Sequence, residues 1–69
     1  MKLSTRNQFK GKVVEVKKGA TTSHVRIDIG GGNIVTASIT NDSVDELGLA
    51  SGKTAYAVVK ASSVMVAVE

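Results

Sequence analysis

The amino-acid sequence predicts an all-β fold that contains one short helix. Apolar and polar residues alternate along most of the chain, which is the pattern of half-buried strands. Glycine-containing turns separate the alternating segments, and a helix signal occurs after the third of them. Five strands with a short helix after the third is the order of a small OB-like barrel. A chain of 69 residues has room for one such domain, and we expect it to span residues 1–69.

The first three strands are predicted from this alternation and from the glycines between them. The first, residues 9–17, contains Gly11 and the adjacent pair Val13-Val14, so we expect a bend or bulge that turns apolar side chains to both faces. Residues 23–29 alternate regularly, and the glycines at 30–32 then reverse the chain. The return strand, residues 34–40, presents apolar side chains on one face and hydroxyls on the other, at Thr36, Ser38 and Thr40.

One helix and two further strands complete the predicted barrel. The spacing Ser43-x-x-Glu46 is that of a capping box and Gly48 is a stop signal, so a helix of one or two turns is expected over residues 41–48. Strands are predicted at residues 54–61 and 64–68. The last of them is apolar at every position, from Val64 to Val68, so it requires a cover on both faces.

The composition argues against several classes of protein. The chain has no cysteine and one histidine, so we expect neither disulfides nor a site for a bare metal cation. It offers no thiol nucleophile, no second histidine to act with His24 and no carboxylate pair outside the helix, so we expect no enzyme. No apolar run approaches the roughly 18 residues of a membrane span. Met1-Lys2-Leu3 leads into polar residues rather than into a signal sequence, so the expected location is cytoplasmic and no membrane partner is expected.

Positive charge is concentrated in the first part of the chain. Residues 1–26 contain Lys2, Arg6, Lys10, Lys12, Lys17, Lys18 and Arg26 against one acidic residue, Glu15. This asymmetry favours an anionic partner. The alternative is that Lys10, Lys12, Lys17 and Lys18 are solvated residues that protect strand edges from pairing.

The small size of the chain predicts self-association. One core of this size leaves little net stability once the conformational entropy of the ordered chain has been offset. Since neither disulfides nor a structural metal is expected, contact between identical chains is the remaining source of stability. We therefore predict a homo-oligomer.

Two short segments near the ends of the chain combine a cation with hydroxyl groups. A tetrahedral oxyanion is best held by fixed cations, hydroxyl donors and free backbone N–H groups. Taken singly, Arg6 could pair with a carboxylate, Lys60 could extend into solvent, and the serines could be ordinary turn residues. Taken together, the two segments, residues 4–11 and 60–62, predict one anion site, for which Asn7 in the first segment is a further candidate.

These two segments also resemble the signature of the molbindin family, Ser-x-Arg-Asn-x-x-x-Gly-x-Val early and Lys-Ala-Ser-x-Val late, and the resemblance extends over almost the whole chain. It implies a Mop-type protein that stores molybdate, with tungstate as a close mimic, in a homohexamer built as a trimer of dimers with sites at subunit interfaces. It also implies side-chain donors at Ser4, Arg6, Lys60 and Ser62, with backbone N–H groups around Thr5 and Ala61. Position 5 is threonine where the resemblance leads us to expect alanine.

Other candidates for the oxyanion site have simpler explanations. Thr36, Ser38 and Thr40 could complete a site from a neighbouring subunit, or could pack against that subunit. The turn Lys18-Gly19-Ala20 could present N–H groups to an anion, or could only connect two strands. The glycines at 30–32 lack the spacing of a phosphate-binding loop, and His24 is expected on the surface.

Two other functions remain open at this point. A small barrel with a pI near 9.5 would suit nucleic-acid binding, but only Phe9 and Tyr56 could stack on bases, so we expect no nucleic-acid partner. The other is an oxyanion-sensing accessory domain that docks on a larger protein. The sequence does not separate molybdate from tungstate, or storage from delivery to cofactor synthesis.

Overall fold

The computed structural model describes residues 3–69 and is built on one antiparallel sheet. Met1 and Lys2, which entered the expectations about location and charge, lie outside the described residues. The elements are β1 (Asn7–Lys18), β2 (Thr22–Gly30), β3 (Asn33–Thr40), α1 (Asn41–Leu47), β4 (Thr54–Val59) and a 3₁₀ helix (Ala61–Ser63). The strand order is β3-β2-β1-β4. None of the helices within residues 3–69 is long and apolar enough to cross a membrane.

A bulge in β1 lets the sheet curl into half of a barrel. The first half of β1 pairs with β4 and the second half pairs with β2, and the β1–β2 register shifts between Val13 and Glu15. Val13 is therefore buried while Val14 is exposed on the other side. Gly11 allows β2 to approach closely, because a Cβ at this position would lie 2.8 Å from Cγ2 of Ile27. The predicted bulge is confirmed.

The hairpin between β2 and β3 also follows the prediction. Gly30, Gly31 and Gly32 all have positive φ angles, which residues with a Cβ rarely adopt. Along β3 the exposed positions alternate with the partly buried ones. Thr36, Ser38 and Thr40 therefore share the exposed face, as predicted.

The helix forms where the sequence predicts it, but its cap is a different residue. The N-cap is Thr40, whose Oγ1 accepts a hydrogen bond from the backbone N–H of Ser43 at 3.1 Å. Because β3 runs directly into α1, the cap falls on the last strand residue, and the capping-box assignment of Ser43 is wrong. The helix ends at Gly48, which is in the left-handed conformation as the stop signal predicts.

The core lies on the concave side of the sheet and is closed at one end by α1. Its buried members are Val13, Val25, Ile27, Val44 and Ala57. Fully buried Ser23 lies beside them and donates a hydrogen bond from Oγ to Asn41 Oδ1 at 2.5 Å, which ties the start of the helix to β2.

The predicted fifth strand is absent from residues 3–69, so the sheet has four strands and stays open between β3 and β4. β4 ends at Val59 rather than at residue 61, because the 3₁₀ helix carries the chain out of the sheet. Lys60 therefore lies after the strand rather than within it, and it is exposed. Met65, Val66 and Val68 are each about nine-tenths exposed, at 93%, 89% and 92%. The all-β class with one short helix and the OB-like architecture are confirmed; the count of five strands is wrong.

Candidate anion-binding site

The pairing of β1 with β4 brings the two ends of the chain together. In this antiparallel pair Asn7, the first residue of β1, lies opposite Val59, the last residue of β4. Residues 4–6 enter the sheet at the point where residues 60–62 leave it. The sheet thus juxtaposes two segments that are more than fifty positions apart in sequence.

A side-chain hydrogen bond reinforces this junction. Asn7 donates from Nδ2 to the carbonyl oxygen of Val59 at 3.2 Å, and the bond is partly buried. The amide of Asn7, a candidate ligand in the sequence analysis, is thus used within the fold to hold the two segments in register. Sequence reasoning did not assign this role, because it depends on a partner 52 positions away.

We expect Asn7→Ala to lower the free energy of unfolding by about 0.5–1.5 kcal/mol, since it removes a partly buried hydrogen bond and leaves a carbonyl without its partner. Denaturant titration followed by circular dichroism measures the change. Gln8→Ala is the matched control, because the Gln8 amide is exposed and makes only a long bond of 3.4 Å to the Thr5 carbonyl. Equal losses in the two variants would show that the Asn7 bond does not hold the junction.

The junction encloses an open cavity of about 420 Å³. Five of its six lining residues are exposed, and Thr5 is half-buried. The lining consists of Ser4, Thr5, Arg6, Lys60, Ala61 and Ser62, the six residues for which the molbindin resemblance implies side-chain or backbone donors.

The electrostatics of the cavity are positive. The ion pairs found within residues 3–69 are Lys18–Asp45 at 2.8 Å and Arg26–Glu15 at 3.9 Å, and neither involves Arg6 or Lys60. The alternative that Arg6 pairs with a carboxylate therefore finds no support among the described residues. Two cations share one cavity without a compensating acidic group, so an anion is the complementary ligand.

Backbone groups add to this set of donors. Lys60 precedes the 3₁₀ helix, in which Ser63 N–H donates to the Lys60 carbonyl at 2.8 Å and Val64 N–H donates to the Ala61 carbonyl at 3.2 Å. The N–H groups of Ala61 and Ser62 come before these and open the turn, where amides have no partner inside the helix. The cavity thus combines cations, hydroxyls and amides, the groups that a tetrahedral oxyanion requires.

One hydroxyl in the cavity is buried and unpaired. Thr5 Oγ1 is inaccessible to solvent and has no hydrogen-bond partner, and it is the one such side-chain oxygen or nitrogen within residues 3–69. Buried polar atoms are nearly always paired in folded proteins. An orphaned hydroxyl beside two unpaired cations fits a ligand that accepts hydrogen bonds.

The turn at Lys18-Gly19-Ala20 is held by the fold and lies in a different place. Gly19 N–H donates to the Thr22 carbonyl at 2.7 Å, and Asn41 Nδ2 donates to the carbonyls of Gly19 and Ala20 at 3.1 and 3.4 Å. Lys18 pairs with Asp45. A second cavity of about 280 Å³ lies here and groups Lys18 and Gly19 with residues that sequence reasoning did not combine: Lys17, Thr22 and His24. The sequence signal that could have grouped them is the strand alternation, which places Lys17 opposite His24 in the β1–β2 pair.

The hydroxyl-bearing face of β3 is also separate from the first cavity. Thr36 pairs with Arg26 and Ser38 pairs with His24, in the half of the sheet away from β4. Thr40 uses its hydroxyl to cap α1. Lys10 and Lys12 are exposed side chains of β1. Because β4 pairs only with residues 7–12 of β1 and β2 only with residues 12–18, parts of β1 have a free edge, and the edge-protecting role considered for its lysines stays a prediction. No group of three or more potential metal ligands occurs in the described part of the chain.

Comparison with known proteins is consistent with this geometry. The sequence model of the TOBE domain matches residues 3–66. A probable molybdenum-pterin-binding protein of Haemophilus influenzae is 54% identical over 69 residues, which are the whole of both chains.

Two solved structures share the fold. MopII from Clostridium pasteurianum superposes with a TM-score of 0.91 at 49% identity, over 97% of this chain and all of that one. The cytoplasmic molybdate-binding protein ModG, in a form with molybdate bound, gives a TM-score of 0.84 at 39% identity over 88% of this chain and 43% of ModG. The resemblance to the molbindins is confirmed, and the chain belongs to the TOBE domain family.

Proposed function

We propose that this chain is a molybdate-binding domain, with tungstate as a close mimic, that stores the oxyanion in the cytoplasm and contributes to its homeostasis. The observation that carries the proposal is the cavity in which Arg6 and Lys60 meet without a carboxylate partner among the described residues. The protein acts by binding, and we propose no catalytic step. The similarity to ModG, described as cytoplasmic and molybdate-binding, supports the ligand and the location.

The lining residues supply different kinds of donor to a tetrahedral dianion. Arg6 and Lys60 supply two positive charges, which balance the two negative charges of the ligand. The planar guanidinium of Arg6 fits two oxygens at once, whereas the ammonium of Lys60 acts as a point charge. Ser4 and Ser62 supply hydroxyl donors, and Ala61 contributes its backbone N–H.

A bare oxyanion suits the cavity better than a pterin does. The name of the Haemophilus relative mentions a molybdenum-pterin, whose ring system would favour aromatic or apolar walls. The six residues that line this cavity include no aromatic side chain. The lining is instead built from charged and hydroxyl groups, so the ligand we propose is the inorganic ion.

We also propose that the functional form is a homo-oligomer, most simply the hexamer, built as a trimer of dimers, that the molbindin resemblance implies. The site is exposed in the single chain, and a neighbouring subunit would cover it and lower the local dielectric, which strengthens charge-assisted hydrogen bonds. Thr36, Ser38 and the turn at residues 18–20 remain candidates for groups that complete sites from other subunits.

Apolar surface supports self-association as well. An apolar cavity of about 570 Å³ lies between the open β3 and β4 edges, where Ile39, Leu47 and Val58 contribute to its walls. The exposed C-terminal segment, residues 64–69, is apolar up to Val68. Exposed apolar surface of both kinds is buried when identical chains associate.

The arrangement of aromatic residues does not favour nucleic-acid binding. Phe9 lies opposite Ala57 while Lys10 lies opposite Tyr56, so the two aromatic side chains sit at adjacent registers and point to opposite faces of the sheet. They cannot form one stacking platform, which is the usual basis of single-strand binding.

Calorimetric titration with molybdate, tungstate, sulfate and phosphate tests the proposal. We expect molybdate and tungstate to bind. We expect the affinity for sulfate to be lower by a factor of about ten or more, because its shorter bonds leave some fixed donors unsatisfied. The preference for molybdate should persist in moderate salt. A single-stranded oligonucleotide is the comparison ligand: tight, salt-sensitive binding that molybdate does not affect would contradict the proposal.

A further inference from the structure

We propose that the hydroxyl of Thr5 donates a hydrogen bond directly to the bound oxyanion and raises the affinity of the site. The inference rests on the proposed function and extends it to a side chain for which the family resemblance implies only a backbone contact. It is carried by the state of Thr5 Oγ1, which is buried and has no partner within residues 3–69.

The position of Thr5 makes a ligand the natural partner of this hydroxyl. Thr5 lines the cavity between Ser4 and Arg6, on the segment that faces Lys60. Its backbone carbonyl accepts a bond from Gln8 Nε2 at 3.4 Å, so the main chain has a link within the fold that the side chain lacks. Because Oγ1 is closed to solvent in the ligand-free chain, the contact requires rotation about the Cα–Cβ bond of Thr5, which turns the hydroxyl toward the cavity, where the oxygens of a dianion are strong acceptors.

The unpaired state gives the inference a distinctive signature. In the ligand-free protein the buried hydroxyl destabilises the fold, because it has given up water and gained no partner. In the complex the same hydroxyl contributes a charge-assisted bond. Removing it should therefore raise the stability of the free protein and lower the affinity for the ligand, two changes of opposite sign.

Thr5→Val is the informative variant, because valine keeps the branched shape and lacks the hydroxyl. We expect its molybdate affinity to fall about tenfold, the loss of one hydrogen bond to a charged group. We expect its melting temperature without ligand to rise by a few degrees. Thr5→Ser, which retains a hydroxyl, should keep an affinity within about threefold of the parent chain.

Ser63→Ala is the control, because Ser63 is an exposed hydroxyl of the adjacent 3₁₀ helix that does not line the cavity. It should change neither molybdate affinity nor melting temperature appreciably. Titration calorimetry gives the affinities, and thermal unfolding monitored by circular dichroism without ligand gives the second readout.

The outcomes separate this inference from the proposed function. If Thr5→Val binds molybdate as tightly as the parent chain, the hydroxyl does not contact the ligand and the inference is overturned. If Thr5→Val melts at a lower temperature without ligand, the hydroxyl has a partner within the protein or its assembly, which also overturns it. Failure of the parent chain to bind molybdate would instead reject the proposed function.

Discussion

Replacing Lys60 or Arg6 by alanine is expected to weaken molybdate binding by more than tenfold in each case. Each substitution removes a charged donor to the bound dianion, and a hydrogen bond to a charged group contributes roughly 1.5–3 kcal/mol. Neither side chain forms an ion pair within residues 3–69, so the substitutions should lower the affinity for the ligand without lowering the stability of the fold. Titration calorimetry gives the affinity, and circular dichroism checks that each variant is folded.

Lys10→Ala is the matched control for general attraction by positive charge. Lys10 is a solvated residue of β1 that does not line the cavity. It should change the affinity by less than about threefold, because exposed charges at a distance are screened by salt. Equal and small losses in all three variants would indicate diffuse attraction and would reject a specific site.

Arg6→Lys refines the same test. It keeps the charge and removes the planar pair of donors, so a partial loss of affinity is expected if the guanidinium holds two oxygens. Full retention would reduce the role of Arg6 to that of a point charge.

The second large effect concerns assembly, where a single charge in the C-terminal segment should dissociate the oligomer. We expect the parent chain to sediment as an oligomer at micromolar concentration and Val66→Asp to raise the subunit dissociation constant by more than about 100-fold. Val66 is 89% exposed in the single chain, and burying an unpaired carboxylate at an apolar contact is strongly unfavourable. Because a chain of this size has little stability of its own, the dissociated variant should also unfold more easily.

Thr21→Asp is the control for the added negative charge. Thr21 is an exposed residue of the turn between β1 and β2, so a carboxylate there remains solvated and the oligomer should persist. Sedimentation of the parent chain as a stable, folded monomer would contradict the proposed assembly.

The elements that could be predicted are those determined by neighbouring residues. The alternation in β2 and β3, the glycine turn between them and the stop at Gly48 depend on contacts within a few positions, and all were predicted correctly. The cap at Thr40 was missed because two signals overlap where a strand runs straight into a helix, and Ser43 fits the same pattern three residues later.

The fifth strand was missed for a different reason. Residues 64–68 have the composition of a strand, but a strand forms only beside a partner edge, and the 3₁₀ helix at Ala61–Ser63 takes this segment away from its own sheet. The apolar composition of residues 64–68 can therefore be read from the sequence, whereas strand formation also requires an adjacent strand edge, which the sequence does not specify.

Some features of the candidate site could likewise be predicted from the sequence, and others could not. The six residues for which the molbindin resemblance implies donors lie around one cavity, because their two segments meet where β1 pairs with β4. The roles of Asn7 and of the Thr5 hydroxyl could not be predicted, because each depends on what lies across the sheet or inside the fold.

The meeting of both chain ends at the cavity gives the ligand a mechanical role. The pairing of Asn7 with Val59 closes a loop that spans 52 positions, and closing so long a loop is entropically the most demanding of the strand pairings. Strand ends that close long loops fray first, so amide hydrogens at this end of β1 and β4 should exchange with solvent early. An anion that binds both segments at once holds the ends of β1 and β4 together. Anion binding should therefore slow amide exchange at this end of β1 and β4 more than in the β2–β3 hairpin, whose strands are joined by a short turn.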